Sequence, residues 1–122
     1  MMEERRQFVR LSTQLHASYR VIELLNQPKR LALTRNVGGA GISLFTDVSL
    51  AAGTVLEVDV MFPSRRSLIH FTGEVMWSGP LVLEGANDPP RAFETGVRFL
   101  DIAPKDRAFI VQYATMPTSK PA

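Results

Sequence analysis

Four stretches of the chain alternate apolar and polar residues, and this pattern points to a largely antiparallel sheet. Leu15, Ala17, Tyr19 and Val21 share one face of the first run, and Leu56, Val58, Val60 and Phe62 share one face of the second. Phe71, Gly73, Val75 and Trp77 do the same in the third, and Phe93, Thr95, Val97 and Phe99 in the fourth. Successive side chains on a strand point to opposite faces, so each run offers one face to a core and the other to water. Two shorter strands fit Arg30 to Val37 and Gly41 to Thr46. On this alternation Trp77 belongs in the core.

Turn chemistry separates the runs. Asn26-Gln27-Pro28, Ala52-Gly53 and Pro63-Ser64-Arg65-Arg66 read as turns. Gly79 to Arg91 carries Gly79, Pro80, Gly85, Asn87, Asp88, Pro89 and Pro90 and reads as a long loop, with Leu81-Val82-Leu83 as a brief strand inside it. One helix is expected, from Pro104 to about Thr115. Proline suits its first position, and Asp106 lies in the first turn, where the helix dipole favours an acid. Phe109, Tyr113 and Met116 fall at helical spacing, so the helix is expected to cover one end of the sheet. About six strands and one terminal helix suggest a small antiparallel barrel, because closure removes exposed edges. The expected organisation is a flexible arm over 1–11, a barrel with its helix over 12–116 and a disordered tail over 117–122.

With 122 residues, the chain has room for one well-cored domain. Fourteen Lys and Arg against twelve Asp and Glu leave a formal charge of +2. That excess is too small for binding nucleic acid by bulk charge, so an anion must be met by locally placed arginines. There are no cysteines and only two histidines, His16 and His70, which excludes disulfides, thiolate zinc sites and three-histidine metal sites. The charged start, Met1 to Arg6, leads into no apolar segment, and no stretch approaches the ~18 apolar residues of a membrane helix. A cytoplasmic protein without membrane insertion is expected.

No Walker A sequence, His-Glu-x-x-His pair or Gly-x-Ser-x-Gly elbow is present. Gly39-Ala40-Gly41 precedes a strand-like run, whereas a dinucleotide-binding glycine loop must open a helix. Glu57 and Asp59 read as solvated acids on a strand's polar face. No catalysis, metal or cofactor is expected.

Two constellations remain. In Arg5-Arg6-Gln7-Phe8-Val9-Arg10, Arg6 and Arg10 are four residues apart. In an extended arm they project from one side roughly 13 Å apart, and in a helical turn they are neighbours. The guanidinium fork donates two parallel hydrogen bonds, which suits phosphates and the guanine edge. Taken alone, the run fits a solvated basic terminus better. The second constellation, Asn36-Val37-Gly38-Gly39-Ala40-Gly41, lies between two expected strands. It reads either as an ordinary hairpin turn or as a place where a ligand approaches the backbone beside the Asn36 amide.

The order of these motifs resembles the PilZ domain family, whose pattern is Arg-x-x-x-Arg followed by Asp/Asn-x-Ser-x-x-Gly. The resemblance runs through Arg6-x-x-x-Arg10, Asn36-x-Gly38-x-x-Gly41, Gly73-Glu74-Val75-Met76-Trp77 and Glu94 to Asp101 to the helix after Pro104, covering residues 4 to 115. It implies a six-stranded antiparallel barrel and a bacterial receptor for the second messenger cyclic di-GMP. It also implies that Arg6 and Arg10 grip guanine and phosphate, with Arg5 as helper, while Asn36 and the Gly38, Gly39 and Gly41 turn hold the ligand against the barrel. Gly38 departs from the pattern. A lost hydroxyl hydrogen bond costs about 0.5–1.5 kcal/mol, and an added glycine roughly 0.5–1 kcal/mol of ordering entropy. Together they imply an affinity loss on the order of 5- to 70-fold.

The leading expectation is a stand-alone cyclic di-GMP receptor, monomeric or weakly homodimeric, that orders its arm on binding and signals through an unidentified downstream protein. The alternative is a PilZ-like adaptor that has lost the ligand and acts only through protein contacts. A barrel binding single-stranded nucleic acid fits less well, because most Phe residues fall on inward positions and the charge is small.

Overall fold

The computed structural model describes residues 10–24, 26–81 and 92–115. Its strands are β1 (Arg10–Ser12), β2 (His16–Val21), β3 (Arg30–Gly38), β4 (Gly41–Thr46), β5 (Val55–Val60), β6 (Ile69–Leu81) and β7 (Ala92–Ile102). A short 3-10 turn (Ile22–Leu24) follows β2, and helix α1 spans Pro104–Thr115. The alternation builds the core directly. Leu56, Val58 and Val60 on β5 are fully buried, as are Ile69, Phe71 and Val75 on β6, while Glu57 and Asp59 face outward.

All pairings are antiparallel, in the order β3-β2-β5-β6-β7-β4, and the pairing of β4 with β3 closes a six-stranded barrel. Strands β1 and β2 lie end to end along β3, with Ser12 opposite Asn36 and His16 opposite Leu33. Three residues on one side of this break face two on the other, so the ladder cannot continue through it. Thr34, fully buried, closes the gap. Its Oγ1 accepts from the Leu15 N–H at 2.9 Å and donates to the Thr13 carbonyl at 2.5 Å. Thr34→Val keeps the shape but strands both backbone groups, at about 1–3 kcal/mol for each. A loss of about 2–6 kcal/mol is expected in urea unfolding, against the 5–15 kcal/mol total typical of a domain.

Helix α1 caps one end of the barrel. Ile110 and Ala114 are buried, and Phe62 inserts edge-on between Phe109 and Tyr113, at centroid distances of 5.3 and 5.0 Å. Met116 lies outside the described residues. No helix among the described residues is long and apolar enough to cross a membrane.

Two expectations need correction. Gly79 and Pro80 are not loop: with Leu81, expected in a brief strand, they extend β6, opposite Glu94, Phe93 and Ala92 of β7. The rest of that expected loop, with Val82 and Leu83, lies outside the described residues. Trp77 is not in the core. Two residues of β6 advance for one of β7 between Val75 and Trp77, and this bulge resets the alternation. Met76 and Trp77 consequently both face solvent, 50% and 46% exposed.

Candidate functional site

The barrel brings the two motifs together through one ladder. Arg10 opens β1 and pairs with Gly38 on β3, Leu11 pairs with Val37, and Ser12 pairs with Asn36. The last arginine of the first motif and the body of the second are therefore cross-strand neighbours. Arg5 and Arg6 lie outside the described residues, as does the rest of the expected arm before Arg10.

Asn36 follows a bulge in the β3–β4 pairing. Its N–H donates to Ser43 Oγ at 3.2 Å, and the neighbouring Arg35 pairs with Glu94 at 3.0 Å. Gly38 and Gly39 are buried and Ala40 is exposed. The turn they form is held from behind. Arg107 Nε on α1 donates to the Gly39 carbonyl at 2.9 Å, and the Phe99 N–H donates to the Ala40 carbonyl at 3.1 Å. Gly41 lies so close to β7 that a Cβ there would stand 2.2 Å from the Val97 carbonyl oxygen. Glycine is required at this position by close approach rather than by dihedral angle. Among the described residues the only glycine with positive φ is Gly53, in the expected Ala52-Gly53 turn.

A shallow groove of 180 Å³ runs along the outside of the barrel from this turn, between Ala40, Gly41 and Ser43 on one side and Trp77, Gly96 and Arg98 on the other. The Trp77 indole lies against Gly96, where a Cβ would stand 2.4 Å from the ring. Arg98 is half-exposed and holds the Glu74 carboxylate through Nε at 2.8 Å and Nη2 at 2.6 Å. A second concavity of 470 Å³ lies on the α1 side of the turn, bounded by Gly39, Phe99, Asp101 and Arg107, and it meets the groove at Ala40 and Arg98. The groove alone is smaller than the ~300–1,000 Å³ of ordinary ligand pockets, so a ligand of nucleotide size would extend beyond it, over the barrel surface or into the adjoining concavity. Backbone donors, guanidinium groups and one exposed aromatic suit an anion bearing a flat ring system.

Sequence reasoning placed Arg10, Asn36, Gly38, Gly39 and Gly41 at the site and missed Trp77, Arg98 and Arg107. The bulge hid Trp77. Arg107 lies 68 residues from its partner Gly39, and no local pattern announces that contact.

Several acids elsewhere on the barrel are engaged in ion pairs. Glu57 meets Arg20 at 2.6 Å, and that hydrogen bond holds its carboxyl below the ordinary glutamate value. Burial pushes the Asp59 carboxyl up, but Lys29 and His70 outweigh it and the net shift is downward. Burial and the hydrogen bond to Asp47 push the Tyr19 phenol up, while Asp47 is lowered because Tyr19 and Arg30 outweigh its own desolvation. Carboxyls lowered in this way are poorly matched to a general base working near neutrality. No group of three His, Cys, Asp or Glu among the described residues is placed to hold a metal ion.

A sequence model of the PilZ domain matches residues 4–115. No curated protein sequence matches the chain. Among solved structures, the fold is similar to the Bacillus subtilis inhibitor of motility MotI/DgrA, with a TM-score of 0.70 at 21% identity over 92% of this chain and 50% of that one. It is similar to the PilZ domain of YcgR from Escherichia coli with cyclic di-GMP, with a TM-score of 0.69 at 15% identity over 91% of this chain and 89% of that one. MrkH, described as a cyclic di-GMP-dependent transcription regulatory factor, gives 0.69 at 17% identity over 89% of this chain and 49% of its own. The chain thus spans about half the length of two of these three relatives.

Proposed function

Because this chain belongs to the PilZ domain family, a family of cyclic di-GMP receptors, we propose that it binds cyclic di-GMP itself and passes the signal to a partner protein. The observation that carries the reading is the β1–β3 register, which sets Arg10 opposite Gly38 and Ser12 opposite Asn36. On this reading Arg10, whose backbone pairs opposite Gly38, and Arg6, four residues earlier in the sequence, grip the phosphate and guanine groups of the ligand. Arg5 assists, and Asn36 offers its amide to a base edge. On this reading the arm folds over a ligand lying on the outer groove, which changes the surface offered to the partner. Trp77, half-exposed beside the turn, supplies a ring face for a guanine. The protein acts in the cytoplasm, as a monomer or weak dimer and without catalysis.

A second reading is favoured by one residue. Gly38 stands where the family pattern has serine, and an adaptor that no longer needs the ligand has no use for that hydroxyl. Trp77 is the chain's single tryptophan, so its emission reports directly on the groove. The receptor reading expects a saturable emission change with cyclic di-GMP, and none with GTP or cyclic di-AMP. Unchanged emission together with an unchanged melting temperature under cyclic di-GMP favours the adaptor.

A further inference from the structure

We propose that Arg107 on α1 is a positioning residue for the Gly38–Gly41 turn, and that it couples the C-terminal helix to occupancy of the site. The proposal rests on the receptor reading for the identity of the ligand, but its geometry does not.

A peptide unit is planar and trans, so a carbonyl and the N–H that follows it point in opposite directions. Arg107 Nε holds the Gly39 carbonyl toward α1 at 2.9 Å, which turns the Ala40 N–H away from the helix. The Phe99 N–H holds the Ala40 carbonyl at 3.1 Å, which fixes the direction of the Gly41 N–H in the same way. Two consecutive peptide planes are thus set from outside the turn. The segment carries nothing larger than the Ala40 methyl, and Ala40 is exposed, so an anionic group can approach the Ala40 N–H.

The two clamps differ in kind. Phe99 belongs to β7, whose pairing with β4 and β6 would have to open before its N–H could move. Arg107 instead reaches the turn from α1, the element that caps the barrel through Phe109, Ile110 and Tyr113 and also touches β1 and β3. The adjustable clamp is therefore the one on the helix. Coupling between sites is reciprocal, so whatever Arg107 contributes to ligand binding is returned as tighter seating of α1. Helix α1 then becomes the element whose position a partner reads.

The test compares the full chain with Arg107→Ala and Arg107→Lys, by calorimetric titration with cyclic di-GMP and by amide exchange. Arg107→Ala is expected to weaken binding about 3- to 30-fold. It is also expected to speed exchange of the Ala40 and Gly41 amides and to abolish the slowing of α1 exchange that saturating ligand produces in the wild type. Arg107→Lys, which keeps one charged donor, recovers part of each effect, whereas a purely structural loss would follow the melting temperature instead. Binding within twofold of wild type, with unchanged exchange at Ala40 and Gly41, overturns the proposal. If the wild type binds no cyclic di-GMP, the receptor reading falls by itself. Exchange at Ala40 and Gly41 in Arg107→Ala then decides the positioning role, faster exchange supporting it and unchanged exchange overturning it.

Discussion

Arg10→Ala is expected to weaken cyclic di-GMP binding about 10- to 150-fold, the loss of charge-assisted hydrogen bonds worth about 1.5–3 kcal/mol. The size follows from what arginine offers a phosphate or a guanine edge, a planar fork of donors that stays charged at any working pH. The site follows from the ladder, in which Arg10 faces Gly38. Arg6→Ala is expected to lose a similar amount, because the Arg6-x-x-x-Arg10 motif offers two guanidinium groups to one ligand. Arg30→Ala serves as the control. Arg30 pairs with Asp47 at 2.7 Å, both side chains are about half-exposed, and neither lines the groove. Its loss should leave affinity within about twofold, as expected for a surface pair worth at most ~1 kcal/mol to the fold. Calorimetric titration of the three variants beside the wild type measures the difference. Equal losses for Arg10→Ala and Arg30→Ala would mean that general charge, rather than the motif, holds the ligand.

Gly41→Ala is expected to destabilise the barrel by about 2–3 kcal/mol or more, with a fall in melting temperature on the order of 10 °C. The added Cβ would stand 2.2 Å from the Val97 carbonyl oxygen and 2.9 Å from the Arg98 Cα. Both obstacles are backbone, so no rotamer change relieves them, and β4 must part from β7. That seam carries six consecutive pairs from Gly41–Arg98 to Thr46–Phe93, and opening its first pair also displaces the ligand turn. Stability and binding should therefore fall together. A Cβ at Gly79, also opposite β7, meets nothing within 4 Å. Gly79→Ala should melt close to the wild type. If thermal melts show Gly41→Ala at wild-type stability, the close packing of β4 on β7 is misplaced.

These effects mark where the sequence was readable and where it was not. Leu56, Val58, Val60 and Phe62 announce a buried face because a regular strand has no freedom to change which side they occupy. Trp77 breaks the same rule, since one extra residue at a bulge reverses the faces and nothing local signals it. Pro104 and Asp106 mark the start of α1, yet the residues that bury most deeply are Ile110 and Ala114, with Phe109 and Tyr113 at the rim around Phe62. The candidate site was legible as two motifs but not as one place. Arg10 and Gly38 become neighbours only through strand pairing, and the Arg107 and Phe99 clamps on the turn come from the other end of the chain. Contacts of that range depend on closure of the whole barrel, which no window of sequence contains.

On the receptor reading the motif pair forms a working cyclic di-GMP site despite Gly38. The most direct measurement is calorimetric titration of the wild type and Gly38→Ser with cyclic di-GMP, beside GTP and cyclic di-AMP. Position 38 has no positive φ, so serine meets no left-handed strain there, and it restores the family's hydroxyl. Saturable binding of cyclic di-GMP alone is expected for the wild type, tightened about 5- to 70-fold in Gly38→Ser. A flat titration of both proteins, with the fold intact, would contradict the receptor reading.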